Sequence, residues 1–332
     1  MMDNLTKEVL KNNSALKKIH DKIEKVENWD KLPQKPMVTI SMATYNHENF
    51  IIKSIEGVLM QQTNFDFEII IKEDFSNDRT REIVVEYQKK YPHIIRLWLC
   101  KENLYSQKLK PRLDAFARGR YIAKCEGDDY WTDPFKLQKQ VDFLEANPEY
   151  SLVCGGFISK NDETGEEKVE LKEVEASPDH TEKGFDITLE RLLKQWLTKT
   201  LTLMYRKSAL DLKEYQKYKY AKDFHLNYEL LKKGKGYYMK EIFGVYHVHD
   251  GGVFSKLTQE MRHSIHFQMY GEVHRKNPSD ELIKKKYYNV LRKIIKNEYS
   301  IKTPFRIYFE MYKISGSRKD FKKMVKAALG RN

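Results

Sequence analysis

The chain has 332 residues, of which 40% are hydrophobic, 33% charged and 12% aromatic, with a formal net charge of +12. That length accommodates a large core plus an appendage, the aromatic content excludes general disorder, and no apolar run approaches the roughly 18 residues of a membrane span. The three cysteines, Cys100, Cys125 and Cys154, lie far apart with no CxxC pair, which excludes a disulfide scaffold and a cysteine-rich zinc site.

The start, MMDNLTKEVLKNN, lacks the unbroken apolar core of a signal peptide, and the scattered cysteines suit a reducing cytoplasm, the expected location. Residues 5–27 carry Leu5, Val9, Leu16, Ile19, Ile23 and Val26 at helical spacings, and a helix is expected there until Pro33 and Pro36. MVTISMA (37–43) reads as a buried strand, 49–60 as a helix with Ile52, Ile55, Val58 and Leu59 on one face, and FEIIIKED (67–74) as a second strand. The polar turn FSNDRT leads into a helix through Tyr87. IIRLWLC (94–100) and YIAKC (121–125) are further strands, and Asp133 is the expected N-cap of a helix running from Pro134 to about Ala146. SLVCGGFI (151–158) is a fifth strand. Such strand–helix alternation predicts an α/β fold with a mostly parallel sheet, helices on both faces, and ligands beyond the carboxyl ends of the strands.

Residues 159–184 are polar and read as a loop or ragged hairpin. A helix is expected over 186–197, a strand over 201–206, a helix over 222–233 ended by Gly234, then two short strands, GYYM and IFGVYHVH. From about 256 onward the chain is mainly helical and basic. Residues 256–332 hold 19 Lys+Arg against 7 Asp+Glu, so the rest of the chain is neutral. This excludes a chain whose whole surface grips nucleic acid. Two readings of the tail stay open: a surface for something anionic, such as a membrane or a phosphorylated acceptor, and a solvated lysine-rich face.

No GxGxxG, P-loop or GxSxG is present, and neither His247/His249 nor His263/His266 makes a zinc site by spacing alone. The chemistry concentrates in Glu126-Gly127-Asp128-Asp129-Tyr130-Trp131, directly after YIAKC. Two adjacent aspartates at a strand's carboxyl end repel each other, and a hard divalent cation would relieve that repulsion. A capping turn is the alternative explanation of such a pair. Strand one ends in Thr44-Tyr45-Asn46 and strand two in Glu73-Asp74, so three strand ends are expected on one rim. There Tyr45 would offer a ring to a base and Asp74 an acceptor for a base N–H.

The ordered stretches 39–62, 67–80, 121–150 and, more loosely, 220–255 resemble the family-2 glycosyltransferases of GT-A fold. The resemblance covers roughly 37–255. It implies transfer of a sugar, with inversion, from a nucleotide-diphosphate sugar (a UDP-sugar favoured) to an acceptor hydroxyl in cell-envelope polysaccharide or glycolipid synthesis. It implies that Thr44, Tyr45, Asn46, Asp74 and Asp128 hold the nucleotide, that Asp129 and His249 hold Mn2+ or Mg2+, and that Asp223 is the catalytic base. Glu73 stands where that family usually has an aspartate, and Asp223 follows Lys222 rather than an acid. The implied organisation is an N-terminal helix and linker (1–35), a GT-A catalytic domain (36–255, with a nucleotide-binding half 36–158 and an acceptor half 159–255), and a basic helical C-terminal region (256–332).

The expected partners are the nucleotide-sugar donor, a saccharide or lipid-linked acceptor, and an anionic surface at the inner face of the plasma membrane, with self-association through terminal helices a further option. Ile283, Tyr287, Val290, Leu291 and Ile294 make an apolar helical face among lysines, and Phe305, Tyr308, Phe309, Tyr312, Phe321, Met324 and Val325 continue the pattern. That face either lies on a membrane or packs against protein. A non-catalytic adaptor on a degenerate transferase body is the competing functional reading, and a sugar-phosphate nucleotidyltransferase ranks below it because ATYNHENF lacks the Gly-rich, basic loop that chemistry wants.

Overall fold

Four apolar runs, flanked by turn residues, form the parallel centre of the molecule. The computed structural model describes residues 14–105, 113–174, 181–219, 222–249, 251, 257–296 and 304–329. Strands β2 (Val38–Thr44), β3 (Phe67–Glu73), β4 (Ile95–Cys100) and β5 (Tyr121–Lys124) pair in parallel in the order β4-β3-β2-β5. Their side chains are buried on both faces, which is why these runs are near-continuously apolar rather than alternating. Helices α2 (Ile51–Leu59), α3 (Thr80–Lys90) and α4 (Lys136–Ala146) cover the sheet. Ile51, Ile55 and Val58, then Ile83 and Val84, then Leu137, Val141 and Leu144 enter one core with Ile40, Met42, Ile69, Ile71 and Leu97.

Beyond β5 the sheet turns mixed. β10 (Met204–Arg206) runs antiparallel between β5 and β7 (Tyr150–Asn161). β11 (Lys235–Val248) lies parallel to β7 with several register shifts, and it also takes β6 (Tyr130–Trp131) and β9 (Gly184–Ile187) antiparallel. β8 (Glu167–Glu170) folds back on β7, so of the loop or ragged hairpin expected over 159–184 the hairpin forms in its first part. Helix α5 (Leu189–Lys194) is capped by the Thr188 hydroxyl, which accepts from the Arg191 amide.

Several local expectations are corrected. Of the helix expected over 5–27, residues before 14 lie outside the described residues. The remainder is a short helix α1 (Ser14–His20) followed by strand β1 (Ile23–Val26), antiparallel to β4 with Ile23 opposite Cys100. Ile23 and Val26 fit either period, and β-branched residues beside the open edge of β4 take the ladder, with the Lys101 amide bonding the Lys22 carbonyl. Residues 184–187 form strand β9 rather than the start of a helix. The two short strands expected in 235–249 are one strand, bulged against β7 between Met239 and Ile242 and between Ile242 and Val245; at Gly244 the backbone of β6 approaches closely, and a Cβ there would lie 2.4 Å from the Tyr130 carbonyl. Asp133 accepts from the Phe135 amide at 2.8 Å, and the helix starts two residues later than expected.

The chain divides into two compact units, one of Met1–Leu212 and Asn227–His249, the other of Lys213–Leu226 and Asp250–Asn332. The sheet lies in the first. The short helix α6 (Leu212–Gln216) begins at the boundary; in the second unit α8 (Gln259–Lys276), α9 (Glu281–Lys296), α10 (Pro304–Ser315) and α11 (Arg318–Ala328) follow one another, and helix α7 (Asp223–Leu231) contributes its first turn. Ile283, Tyr287, Val290, Leu291 and Ile294 are buried with Met269, Tyr270 and Val273 of α8 and with Ile307 and Met311 of α10. The stripe on α9 therefore serves packing. Among the described residues no helix is long and apolar enough to cross a membrane.

Candidate active site

The carboxyl ends of β2, β3 and β5 are laced together by their own turns. The Asp74 amide bonds the Thr44 carbonyl at 3.0 Å, and the Gly127 amide bonds the Ala43 carbonyl at 2.9 Å. The turn after β2 and the turn after β3 exchange hydrogen bonds. Asn46 accepts from the Asn77 amide at 2.9 Å, Ser76 accepts from the Asn46 amide at 3.0 Å, and Thr80 accepts from the His47 amide at 2.8 Å. Asn46 and Phe75 both take positive φ, 54° and 66°. Asn tolerates that region, but for Phe75 it is a strained conformation imposed by bonds on either side of it. Gly127 is required by proximity: a Cβ there would lie 2.6 Å from Thr44 Oγ1 and 3.0 Å from His47 Nδ1.

Asp74 is buried, with its two carboxylate oxygens accepting from the amides of Leu104 and Tyr105, each at 3.1 Å, and Lys72 Nζ 3.4 Å away. Glu73 is also buried and accepts from the Ser76 amide and Arg81 Nε, both at 2.6 Å, so here the longer acid props the turn. Tyr45 is exposed at the rim.

Pairing of β6 with β11 carries the histidines to the acids. Asp129 is 3% exposed, and its Oδ1 accepts from the His247 amide at 3.1 Å. His249 Nε2 lies 3.3 Å and His47 Nε2 3.8 Å from Asp128 Oδ2. The Phe50 ring rests against both His247 and His249, with centroids 5.0 and 4.7 Å away, and His247 Nδ1 is 2.6 Å from Asp162 Oδ1. Burial and the charge of Asp128 push the Asp129 carboxyl well above the usual range, against the pull of Lys199. Burial opposes ionisation of Asp128 too, but the hydrogen bond with His249 and the facing His47 outweigh it and hold its carboxyl low. Burial lowers His47, and among the described residues neither its enclosed Nδ1 nor Thr44 Oγ1 has a hydrogen-bond partner. The rim thus sets a carboxyl whose ionisation is opposed, Asp129, beside one whose ionisation is favoured, Asp128.

Of the residues expected from the sequence, Thr44, Asn46, Asp74, Asp128, Asp129 and His249 gather on this rim, with Tyr45 at its edge. Among the described residues no cluster of three or more His, Cys, Asp or Glu side chains stands ready-made around a metal ion. Asp223 opens α7 in the other unit, where the His225 ring accepts from the Lys222 amide at 3.1 Å. His47 and Lys199 escaped the reading of the sequence. His47 directly follows the Thr44-Tyr45-Asn46 turn, which was the available signal. Lys199 precedes a short 3-10 turn and offered none.

A parallel sheet joined to an antiparallel extension, with an acid pair at the join, defines a GT-A fold. The chain belongs to glycosyl transferase family 2, whose family model matches residues 39–211. It is 37% identical over 171 residues to the uncharacterized protein Rv1520 of Mycobacterium tuberculosis, a match spanning 51% of this chain and 47% of that protein, about half of each. It is 26% identical over 230 residues to the putative teichuronic acid biosynthesis glycosyltransferase TuaG of Bacillus subtilis, covering 69% of this chain and 83% of that one. The UDP complex of S. aureus TarS shares the fold at a TM-score of 0.56 and 15% identity, over 89% of this chain and 92% of that chain.

Proposed function

We propose that the chain transfers a sugar, with inversion, from a nucleoside-diphosphate sugar to a hydroxyl of a saccharide or lipid-linked acceptor during cell-envelope glycan synthesis. The observation that carries this reading is the acid pair at the strand ends: Asp129 is buried beside Asp128, and burial and that neighbouring charge oppose its ionisation. Residues 36–158 then bind the nucleotide and 159–255 shape the acceptor side. A uridine nucleotide is the favoured donor, in keeping with the UDP and UDP-GlcNAc bound by TarS. Three buried free thiols and a nucleotide-sugar donor suit the cytoplasm.

The side chains at this rim are of the kind a hard divalent ion, Mn2+ or Mg2+, takes, although among the described residues they do not stand as a ready-made cluster. Asp128, Asp129 and His249 would supply oxygen and imidazole ligands, and a cation would offset the burial and repulsion that oppose ionisation of Asp129. When bound, such an ion stabilises the negative charge that develops on the departing diphosphate. The protein's own part is positional. Tyr45 offers a ring to the base, while Thr44, Asn46 and Asp74 hold the turns that frame it. Asp223 takes the acceptor proton as the acceptor oxygen bonds the anomeric carbon and the diphosphate leaves from the opposite face. The support for Asp223 is its place in the family's ordered series.

A thermal-shift panel of UDP-, GDP- and dTDP-sugars with and without Mn2+ tests the reading. A metal-dependent shift with one nucleotide class is expected. No shift with any donor would overturn the transfer reaction and leave a non-catalytic adaptor. Asp223→Asn should lower turnover by about 10²–10⁴-fold with donor binding intact; wild-type turnover would remove Asp223 from the mechanism.

A further inference from the structure

The hydrophobic side of α11 is not the side that packs. Asp320 is the buried residue of this helix, 3% exposed, with its carboxylate accepting from Tyr288 Oη at 2.8 Å and Ser315 Oγ at 2.6 Å. Phe321, Val325 and Leu329 recur every four residues on another side, at 44%, 36% and 61% exposure. A helix normally turns such a stripe inward. α10 does the same in part: Ile307 and Met311 are buried, whereas Phe305 and Phe309 stack with centroids 5.9 Å apart on its exposed side. Gly316, at φ 61°, turns α10 into α11. The Tyr312 and Phe321 rings meet at 5.2 Å, which ties the two aromatic stripes into one surface.

Cations border that surface. Arg318, Lys319, Lys322, Lys323 and Lys326 line one shallow groove on α11, and Arg306 and Lys313 are exposed on α10. The only acids of these two helices are Glu310, half-buried, and Asp320, buried in the hydrogen bonds above. Exposed aromatics beside a field of one sign match the chemistry of an anionic bilayer, where rings enter the headgroup boundary and lysines meet lipid phosphates. An acidic soluble partner would account for the cations and leave the rings in water.

We infer that the α10–α11 hairpin is a membrane-surface anchor, lying in the plane of an anionic leaflet with Phe305, Phe309, Phe321, Val325 and Leu329 inserted and the α11 lysines at the headgroups. The anchor does not depend on the transfer reaction, and its test needs no substrate. Full-length protein is sedimented with phosphatidylglycerol/phosphatidylcholine vesicles and with phosphatidylcholine vesicles alone. Binding only to the anionic vesicles, weakened by salt, is expected. Lys322→Gln and Lys326→Gln should each lower partitioning about fivefold, and Phe321→Ser about tenfold. Because all three side chains are exposed, the melting temperature should stay at the wild-type value, which separates lost anchoring from lost folding. Absence of binding to anionic vesicles overturns the inference. So does unchanged binding by a Phe309→Ser/Phe321→Ser variant that instead loses a dimer in sedimentation velocity, which would make the face an interface between copies.

Discussion

Asp129 and Lys136 illustrate how burial of one ionisable group has opposite meanings at a rim and in a core. Burial and the neighbouring charge of Asp128 oppose ionisation of Asp129 and favour its neutral form. Asn is a near-isostere of that form and keeps an oxygen for the His247 amide. Asp129→Asn should therefore leave the melting temperature unchanged or raised while abolishing Mn2+-dependent donor binding; calorimetric titration with and without the metal checks it. A large loss of stability would mean that the carboxylate serves the fold.

Lys136 is fully buried, donates to Gln140 Oε1 at 2.7 Å and sits 4.1 Å from the Trp131 ring centroid. Burial brings its ammonium down to about 7. The unfolded chain, titrating near 10.4, then holds the extra proton between about 7 and about 10, so this residue's contribution to stability rises with pH across that window and is at its most unfavourable below it. Lys136→Met should flatten that rise and add about 1–3 kcal/mol at neutral pH. Urea denaturation of both proteins at the two ends of the window isolates the effect as a difference.

At the scale of elements, strand ladders carry the parallel block, but one buried carboxylate ties several segments. Glu68 on β3 accepts from Thr39 Oγ1 of β2 at 2.8 Å, Arg96 Nη1 of β4 at 3.1 Å and Arg118 Nε at 2.7 Å, and it also pairs with Arg118 Nη2. Arg96 is shared with Glu27, which lies just past β1 and also accepts from the Trp98 indole at 2.9 Å. Removing the shared anion takes the carboxylate from Arg118 and leaves the fully buried Arg96 with Glu27 and the Phe116 carbonyl alone. Glu68→Ala should cost about 3–5 kcal/mol, read as a lower urea midpoint with unchanged m-value. A cost below about 1 kcal/mol would show that water replaces the carboxylate.

At the scale of the molecule, two compact units built from interleaved chain segments should not unfold as one. Differential scanning calorimetry is expected to give a calorimetric enthalpy larger than the van't Hoff value. Phe243, Trp131 and Leu201 are in the first unit's core, so Phe243→Ala should shift only that unit's transition, by about 3–5 kcal/mol. A single transition with equal enthalpies would show the units to be cooperative.

The amino-acid order alone marked the apolar strand runs, the helices between them, the acid pair after β5 and the concentration of charge in the tail. These are legible because burial on both faces and a crowded pair of carboxyls leave local signatures. The structure alone decided that residues 23–26 join an edge as a strand, that 235–248 is one bulged ribbon, that His47 faces Asp128, and that the packed stripe is on α9 while α11 turns its own outward. Each of those depends on which distant segment lies alongside, and pairing between segments far apart in the chain leaves no local periodicity to read.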